Sequence, residues 1–364
     1  MSGDLRVALS GLGAAGRSGV PRYAGSLLRA LDRVAPEFDR LRLELLTTPA
    51  GADVVKPAHL ELQLVGRTLG WPHAGGRRIV AEQLAARTHR ANLLHFFDLT
   101  GPLLAPRRPF VTTLHDVAIA HDRRPFLYAY KRRVQPWALR TAKAAVAVSS
   151  FARDEAVARL GADPARITVV RSGPGLEPTG TTRTNGAMPR DFILYVGDLT
   201  LHKNLPFLLD VFEDADLSAQ LVLVGRRGER YPEIRDRIRR SSAAERIAVV
   251  EDADDARVDS LYRHALATVL PSRYEGFGFT PLEAMARDCP VLASDIPALR
   301  ETAGDGALLL PLDARSQWVD ALRRVAHDEA LRAELRARGR ANVARYSWDD
   351  AARTLCRLFL RVTA

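Results

Sequence analysis

The chain has 364 residues, 47% apolar and 26% charged, which is enough for two globular domains, each with its own core. No window approaches eighteen consecutive apolar residues, and the two cysteines, Cys289 and Cys356, occur in unrelated contexts, so a spanning helix, a disulfide framework and a cysteine metal site are all excluded. The formal net charge of +10 belongs to the first half: residues 1–180 carry 26 Lys+Arg against 15 Asp+Glu, and residues 181–364 carry 27 against 28, so an anionic partner is expected on the first half.

The N-terminus, Met1 to Ser10, has an early acidic residue and a strand-like run, and reads as a first strand, not a signal peptide. Further strand-like runs follow at Leu41–Thr47, Leu93–Phe97, Phe110–Leu114, Ala144–Val148 and Ile167–Val170, separated by helical patterns such as Val20–Val34, Arg78–Arg90 and Tyr128–Lys143. The second half repeats the alternation, with strands at Phe192–Val196, Gln220–Val224, Ile247–Val250, Ala267–Leu270, Val291–Ala293 and Ala307–Leu310. Such alternation predicts an α/β protein with two doubly wound parallel sheets. Residues 172–190 are rich in Gly, Pro and Thr without apolar periodicity and read as a linker. Domains are therefore expected at 1–175 and 190–345. Ser347-Trp-Asp-Asp350 reads as the N-cap of a final helix, 347–362.

Gly11-x-Gly13-x-x-Gly16 follows the first strand and superficially matches a dinucleotide fingerprint. A second glycine loop, Ser18-Gly-Val-Pro21, delays the helix, and the next strand ends in Thr47-Thr48 with no acidic residue for a ribose, which argues against NAD. Residues 123–137 interleave aromatics with cations. The reading is either a peripheral contact with an anionic membrane surface or a solvated basic helix with its aromatics turned inward; no nucleic-acid motif accompanies the charge. Only four of the 53 cations are lysine, and Lys203 alone of them lies in a glycine-strand context, where a compact ammonium can approach a phosphate. The acidic run Glu251–Asp255 precedes a helix and reads as a solvated helix start, so no metal is expected.

The most informative segment is Pro271 to Ala286. Glu275 and Glu283 stand eight residues apart around Gly276 and Gly278. Thr280-Pro-Leu-Glu283 reads as a capping box opening a helix, with amides of the glycine loop turned toward an anion. Glu283 has two readings, cap and ligand contact; Glu275 lies outside the helix and has only the second. A diphosphate flanked by hydroxyl-bearing sugars, as in a nucleotide-sugar, suits this layout.

Pro271 to Glu301, with Pro290-Val-Leu-Ala-Ser-Asp295, resembles the Glu-x7-Glu region of retaining glycosyltransferase family 4, whose members have the GT-B fold of two Rossmann-like domains facing a cleft. Ser18 to Tyr23, Leu114-His-Asp116, Val148 to Arg153 and Tyr195 to Asn204 resemble further family elements in the same order, closest to the branch that builds polysaccharide and O-antigen chains, often with mannose. The resemblance implies an N-terminal acceptor domain onto which the last helix packs back and a C-terminal nucleotide-sugar domain. It implies catalytic roles for His115, Lys203 and Glu275. Gly19, Gly197, Lys203, Glu275, Gly276, Phe277, Gly278, Thr280 and Glu283 would bind the donor, and Gly13, Arg22, Tyr23 and Asp116 the acceptor. Many relatives carry an arginine where this chain has Asp198 or His202; a protonated His202, or Arg226 and Arg227, are the candidate substitutes. The expected activity is retaining, metal-independent transfer of a hexose, with GDP-mannose as the first donor to consider, to a glycan, lipid-linked or small-molecule hydroxyl in the cytoplasm or at the inner face of the cell membrane. No cofactor is implied beyond the nucleotide-sugar. The alternatives are a non-catalytic sugar-nucleotide-binding protein and a sugar-nucleotide epimerase or hydrolase.

Overall fold

The computed structural model describes residues 4–14, 19–64, 89–99, 106–117, 125–176, 190–228 and 230–363, with backbone alone at 13, 125–131 and 202. The chain divides into two compact units, Met1–Gly173 with Ser347–Ala364, and Pro174–Tyr346. The second unit thus begins at Pro174, ahead of the expected boundary at 190. Residues 177–189 of the expected linker, residues 78–88 of the expected helix and residues 15–18 of the first glycine loop lie outside the described residues.

The first unit is built on a seven-stranded sheet of β1 (Leu5–Ser10), β2 (Leu41–Thr47), β3 (Glu61–Leu64), β4 (Leu93–Phe96), β5 (Phe110–Leu114), β6 (Ala144–Ala147) and β7 (Ile167–Val169). The strands pair in parallel in the order β3-β2-β1-β4-β5-β6-β7. The sequence reading lacked β3: Glu-Leu-Gln-Leu is exposed along its whole length at the sheet edge and carries no buried run. Helices α1 (Gly19–Val34), α2 (Pro49–Val55), α3 (Pro125–Thr141) and α4 (Ser150–Leu160) accompany it. In α1 the spacing of Tyr23, Leu27, Leu31 and Val34 makes one buried stripe. Helix α4 starts where Ser149 accepts from the Ala152 amide at 3.0 Å and stops at Gly161, whose φ of 62° suits glycine.

The second unit holds β8 (Phe192–Val196), β9 (Gln220–Val224), β10 (Ile247–Val250), β11 (Ala267–Leu270), β12 (Val291–Ser294) and β13 (Leu308–Leu310), parallel throughout, in the order β10-β9-β8-β11-β12-β13. Its helices are α5 (Leu205–Ala215), α6 (Tyr231–Arg239), α7 (Asp255–His264), α8 (Phe279–Met285), α9 (Pro297–Thr302), α10 (Arg315–His327) and α11 (Glu329–Val343). β8 and β11 are apolar runs buried nearly throughout, as strands covered by helices on both faces require. The last helix, α12 (Trp348–Thr363), belongs to the first unit. Ser347 accepts from the Asp350 amide at 3.2 Å to open it, Leu355 and Phe359 are buried, and Arg33–Asp349 (2.7 Å) and Arg353–Glu37 (2.8 Å) tie it to α1 and the turn after it. Among the described residues no helix is long and apolar enough to cross a membrane.

Both sheets reverse their strand order, between β1 and β4 and between β8 and β11. Loops leaving the carboxyl ends of such neighbouring strands splay apart and leave room for a ligand. Close backbone approach shapes this end of the second sheet: a Cβ on Gly225 would lie 1.8 Å from the Gly197 carbonyl oxygen. Gly225→Ala must therefore displace the loop after β8. It is expected to cost about 1–3 kcal/mol, a fall in Tm of roughly 3–10 °C by calorimetry, and an unchanged melting curve would contradict this packing.

Candidate functional site

The loops after β8 and β11 carry the two residues that the sequence marks most strongly. Lys203 lies in a short 3-10 turn after β8, and Glu275 in the loop between β11 and α8. Separated by 72 residues, they form an ion pair with Nζ to Oε1 at 2.6 Å, and their side chains are only 18% and 12% exposed. Asn204 follows in a left-handed conformation, φ 59°, which asparagine tolerates better than most residues. Its Oδ1 accepts from Arg273 Nε at 3.1 Å, so the loop after β11 meets the loop after β8 a second time. Under both lies Tyr195, wholly buried, whose hydroxyl donates to the Asp198 carbonyl at 3.1 Å. Burial, reinforced by the charges of Glu275 and Asp198, pushes that phenol well above its ordinary pKa.

Gly278 caps α8 with φ 92°, and a Cβ there would lie 2.7 Å from Leu299 Cδ2. The expected capping box is corrected here: α8 begins at Phe279, and Thr280 Oγ1 donates to the Val196 carbonyl at 3.2 Å, pinning the helix to the end of β8. Glu283 is then no cap. It is 5% exposed, and its Oε2 accepts from Tyr262 of α7 at 3.0 Å. Arg287 donates to the Glu283 carbonyl at 2.9 Å and to Asp259 Oδ1 at 2.7 Å, both side chains fully buried. Burial opposes ionisation of Asp259, but Arg263 and Arg287 outweigh it and hold its carboxyl below the usual range.

In the first unit His115 follows the last residue of β5. Its Nε2 lies 2.7 Å from the Phe97 carbonyl, which can only accept, so Nε2 carries the proton. Tyr23 stands edge-on to its ring at 4.6 Å and to Trp348 of α12 at 5.6 Å. Tyr23, expected to meet an acceptor, is corrected to a wall residue: it is 1% exposed, and burial raises its phenol well above the ordinary value, with Thr113 opposing. Gly13 ends a 3-10 turn after β1, Gly19 opens α1 facing open space, Arg22 is half-buried on α1, and Asp116 follows His115.

Comparison with known proteins bears on what these loops belong to. Residues 17–174 match the family described as Glycosyltransferase Family 4, and residues 183–342 match Glycosyl transferases group 1. The chain belongs to glycosyltransferase family 4. Among relatives of this family 4 chain, the O-antigen chain mannosyltransferase RfbU of Salmonella typhimurium is 26% identical over 238 residues, 63% of this chain and 65% of that one, so the match spans just under two thirds of RfbU. The phosphatidyl-myo-inositol mannosyltransferase of Mycobacterium leprae is 26% identical over 338 residues, 85% of this chain and 86% of that one. The crystal structure of Anabaena HepE in complex with UDP and glucose superposes with a TM-score of 0.73 at 16% identity, covering 98% of this chain and 100% of that one, which establishes the GT-B fold.

Within the family 4 chain the structure brings Lys203, Glu275, Gly197 and Thr280 to one end of the second sheet, with the Gly276–Gly278 loop on the β11–α8 connection and Glu283 in α8 itself. The substitutes considered for the absent arginine are engaged: Arg226 pairs with Asp198 at 3.1 Å, and Arg227 pairs with Glu251 at 2.6 Å and covers the Tyr231 ring. The His202 side chain lies outside the described residues. Among the described residues no three His, Cys, Asp or Glu side chains gather to hold a metal ion. Asp254, in the acidic run, caps α7 by accepting from Arg257 N at 2.7 Å. Sequence reasoning missed Tyr262 and Arg287, because a buried position on α7 and one in the turn after α8 give no signal separating a core residue from a carboxylate's partner.

Beneath His115, His95 is wholly buried, with Nε2 3.0 Å from Thr113 Oγ1. Desolvation, with the charge of His115, lowers its pKa to about 3. Because the folded value lies below the unfolded one near 6.5, the associated stability is complete above pH 6.5 and lost as pH falls toward 3, at about 1.4 kcal/mol per pH unit. Urea titrations should show that His95→Gln removes this slope relative to the parent chain; equal slopes would refute a neutral buried imidazole.

Proposed function

We propose that the protein is a retaining, metal-independent hexosyltransferase that takes its sugar from a nucleotide-sugar and delivers it to a hydroxyl of a glycan, a lipid-linked glycan or a small molecule. The observation that carries the reading is the Lys203–Glu275 pair at the strand-order reversal of the second unit, a poorly hydrated cation and carboxylate on loops built to meet a ligand. Lys203 neutralises the leaving diphosphate, the main electrostatic demand of the reaction. Glu275 contacts the transferred sugar and Glu283 the ribose, while amides of Gly276, Phe277 and Gly278 and the loop at Gly197 receive the diphosphate, with Thr280 holding their geometry. In the first unit, Gly19 and His115 are assigned to the donor, and Gly13, Arg22 and Asp116 to the acceptor. The relatives named as mannosyltransferases favour mannose from GDP-mannose, and the UDP complex of HepE keeps uridine donors in the test.

In the proposed step the acceptor oxygen bonds to the anomeric carbon on the face from which the carbon–phosphate oxygen bond breaks. The diphosphate leaves with that electron pair, and one of its oxygens takes the acceptor's proton. A side-chain adduct trapped on the enzyme would overturn this route. No resident metal or cofactor takes part in it. The exposed Arg132, Arg133 and Arg140 of α3 support a lipid-linked acceptor at an anionic membrane surface, and the location that goes with this reading is the cytoplasm, against the inner leaflet.

A thermal-shift panel of nucleoside diphosphates and nucleotide-sugars should raise Tm for one base, and Glu283→Ala should abolish the shift. With the donor so found, Lys203→Ala should lower kcat by about 10²–10³-fold, and NMR of the product should show the donor's anomeric configuration; an inverted anomer would sink the proposal. Co-sedimentation with anionic liposomes should fall when Arg132 and Arg133 are neutralised, whereas equal recovery in the pellet would favour a soluble acceptor.

A further inference from the structure

Glu283 is held from three directions, and each hold has a separate chemical job. Arg287, fixed by Asp259, grips the Glu283 main-chain carbonyl at 2.9 Å and the Leu176 carbonyl at 3.0 Å. The same guanidinium covers the Tyr262 ring at 5.7 Å and so keeps the phenol in place. The Tyr262 hydroxyl then makes one described hydrogen bond, to Glu283 Oε2 at 3.0 Å. From the other side, a Cβ on Gly175 would lie 2.6 Å from Glu283 Oε1 and 2.9 Å from the Phe279 ring, so only glycine leaves the carboxylate where it stands.

We propose that Tyr262 is a positioning residue for nucleotide recognition: its hydroxyl, with the bare backbone of Gly175 opposite, fixes the plane of the Glu283 carboxylate for the ribose hydroxyls of a nucleoside diphosphate. The inference rests on the assignment of Glu283 to the ribose made above. The terminal torsion of a glutamate is broad and roughly two-fold, so the helix alone does not set the direction of its oxygens. A hydrogen bond from a rigid phenol does, and it takes only one of the lone-pair sites of Oε2. Burial, aided by the neighbouring Glu283, keeps the phenol protonated and therefore always a donor. The buried Asp259–Arg287 pair stabilises the fold whether or not nucleotide is bound. The Tyr262 hydroxyl adds nothing to that pair, and Phe at 262 would keep the ring under Arg287.

The test is the ratio of Kd values, by calorimetry, for GDP and UDP against their 2′-deoxy and 3′-deoxy counterparts, a ratio that general destabilisation does not move. The parent chain should prefer the ribonucleotide, and Glu283→Gln should erase that preference. Tyr262→Phe should lower the preference by about tenfold while the diphosphate still binds. Gly175→Ala, which turns the carboxylate from the opposite side and leaves the Tyr262 hydroxyl present, should do the same, and it decides the matter alone if Tyr262→Phe does not fold. A parent-like ratio in Tyr262→Phe alongside its loss in Glu283→Gln overturns the positioning role and leaves the ribose assignment standing. No preference in the parent chain removes the ribose assignment, and the positioning role falls with it.

Discussion

The reversal of strand order between β8 and β11 is the constraint on which the candidate site depends. Parallel strands deliver every outgoing loop to the same edge of the sheet, and only at a reversal do adjacent loops turn away from each other. Lys203 and Glu275 occupy the two loops at that point, and their contact at 2.6 Å is a product of topology and not of proximity in sequence. Two charges so poorly hydrated would each be costly alone; paired, each compensates the other until an anionic ligand offers the ammonium a different partner.

Positioning of these loops comes from beneath. Gly225 allows the loops after β8 and β9 to touch backbone to backbone, Gly278 allows α8 to begin at a sharp turn, and Thr280 bonds α8 to the end of β8. Under Glu283 the support is ionic, through Asp259 and Arg287, with Tyr262 as the side-chain contact. Functional side chains on loops are thus fixed by partners on helices and strands, which is how a loop site reaches fixed geometry.

The first unit uses aromatic packing for the same end. Tyr23 of α1 stands beside His115 and makes a T-shaped contact with Trp348 of α12, and Gly173 accepts the Trp348 ring where any Cβ would clash at 2.4 Å. The chain's last helix therefore helps to build the wall of a histidine far from it in sequence. Arginine pairs with Asp349 and Glu37 hold that helix to α1 and the turn after it, so the wall depends on contacts between the two ends of the chain.

By itself the sequence determined the alternation of strands and helices, because buried parallel strands such as β8 and β11 are largely apolar runs ended by Gly or Pro. The strand-end positions of Glu275, Lys203 and His115 were legible as well, since each lies on the loop that follows such a run. The exposed edge strand β3 was not legible, for want of a buried run. Tertiary structure alone decided that Thr280 ties a helix to a strand instead of capping it, that Tyr23 is a wall and not a contact, and that Tyr262 and Arg287 serve Glu283. In each case the deciding partner lies far along the chain or on another element, and local sequence has no means of recording a hydrogen bond or ring contact that only packing creates.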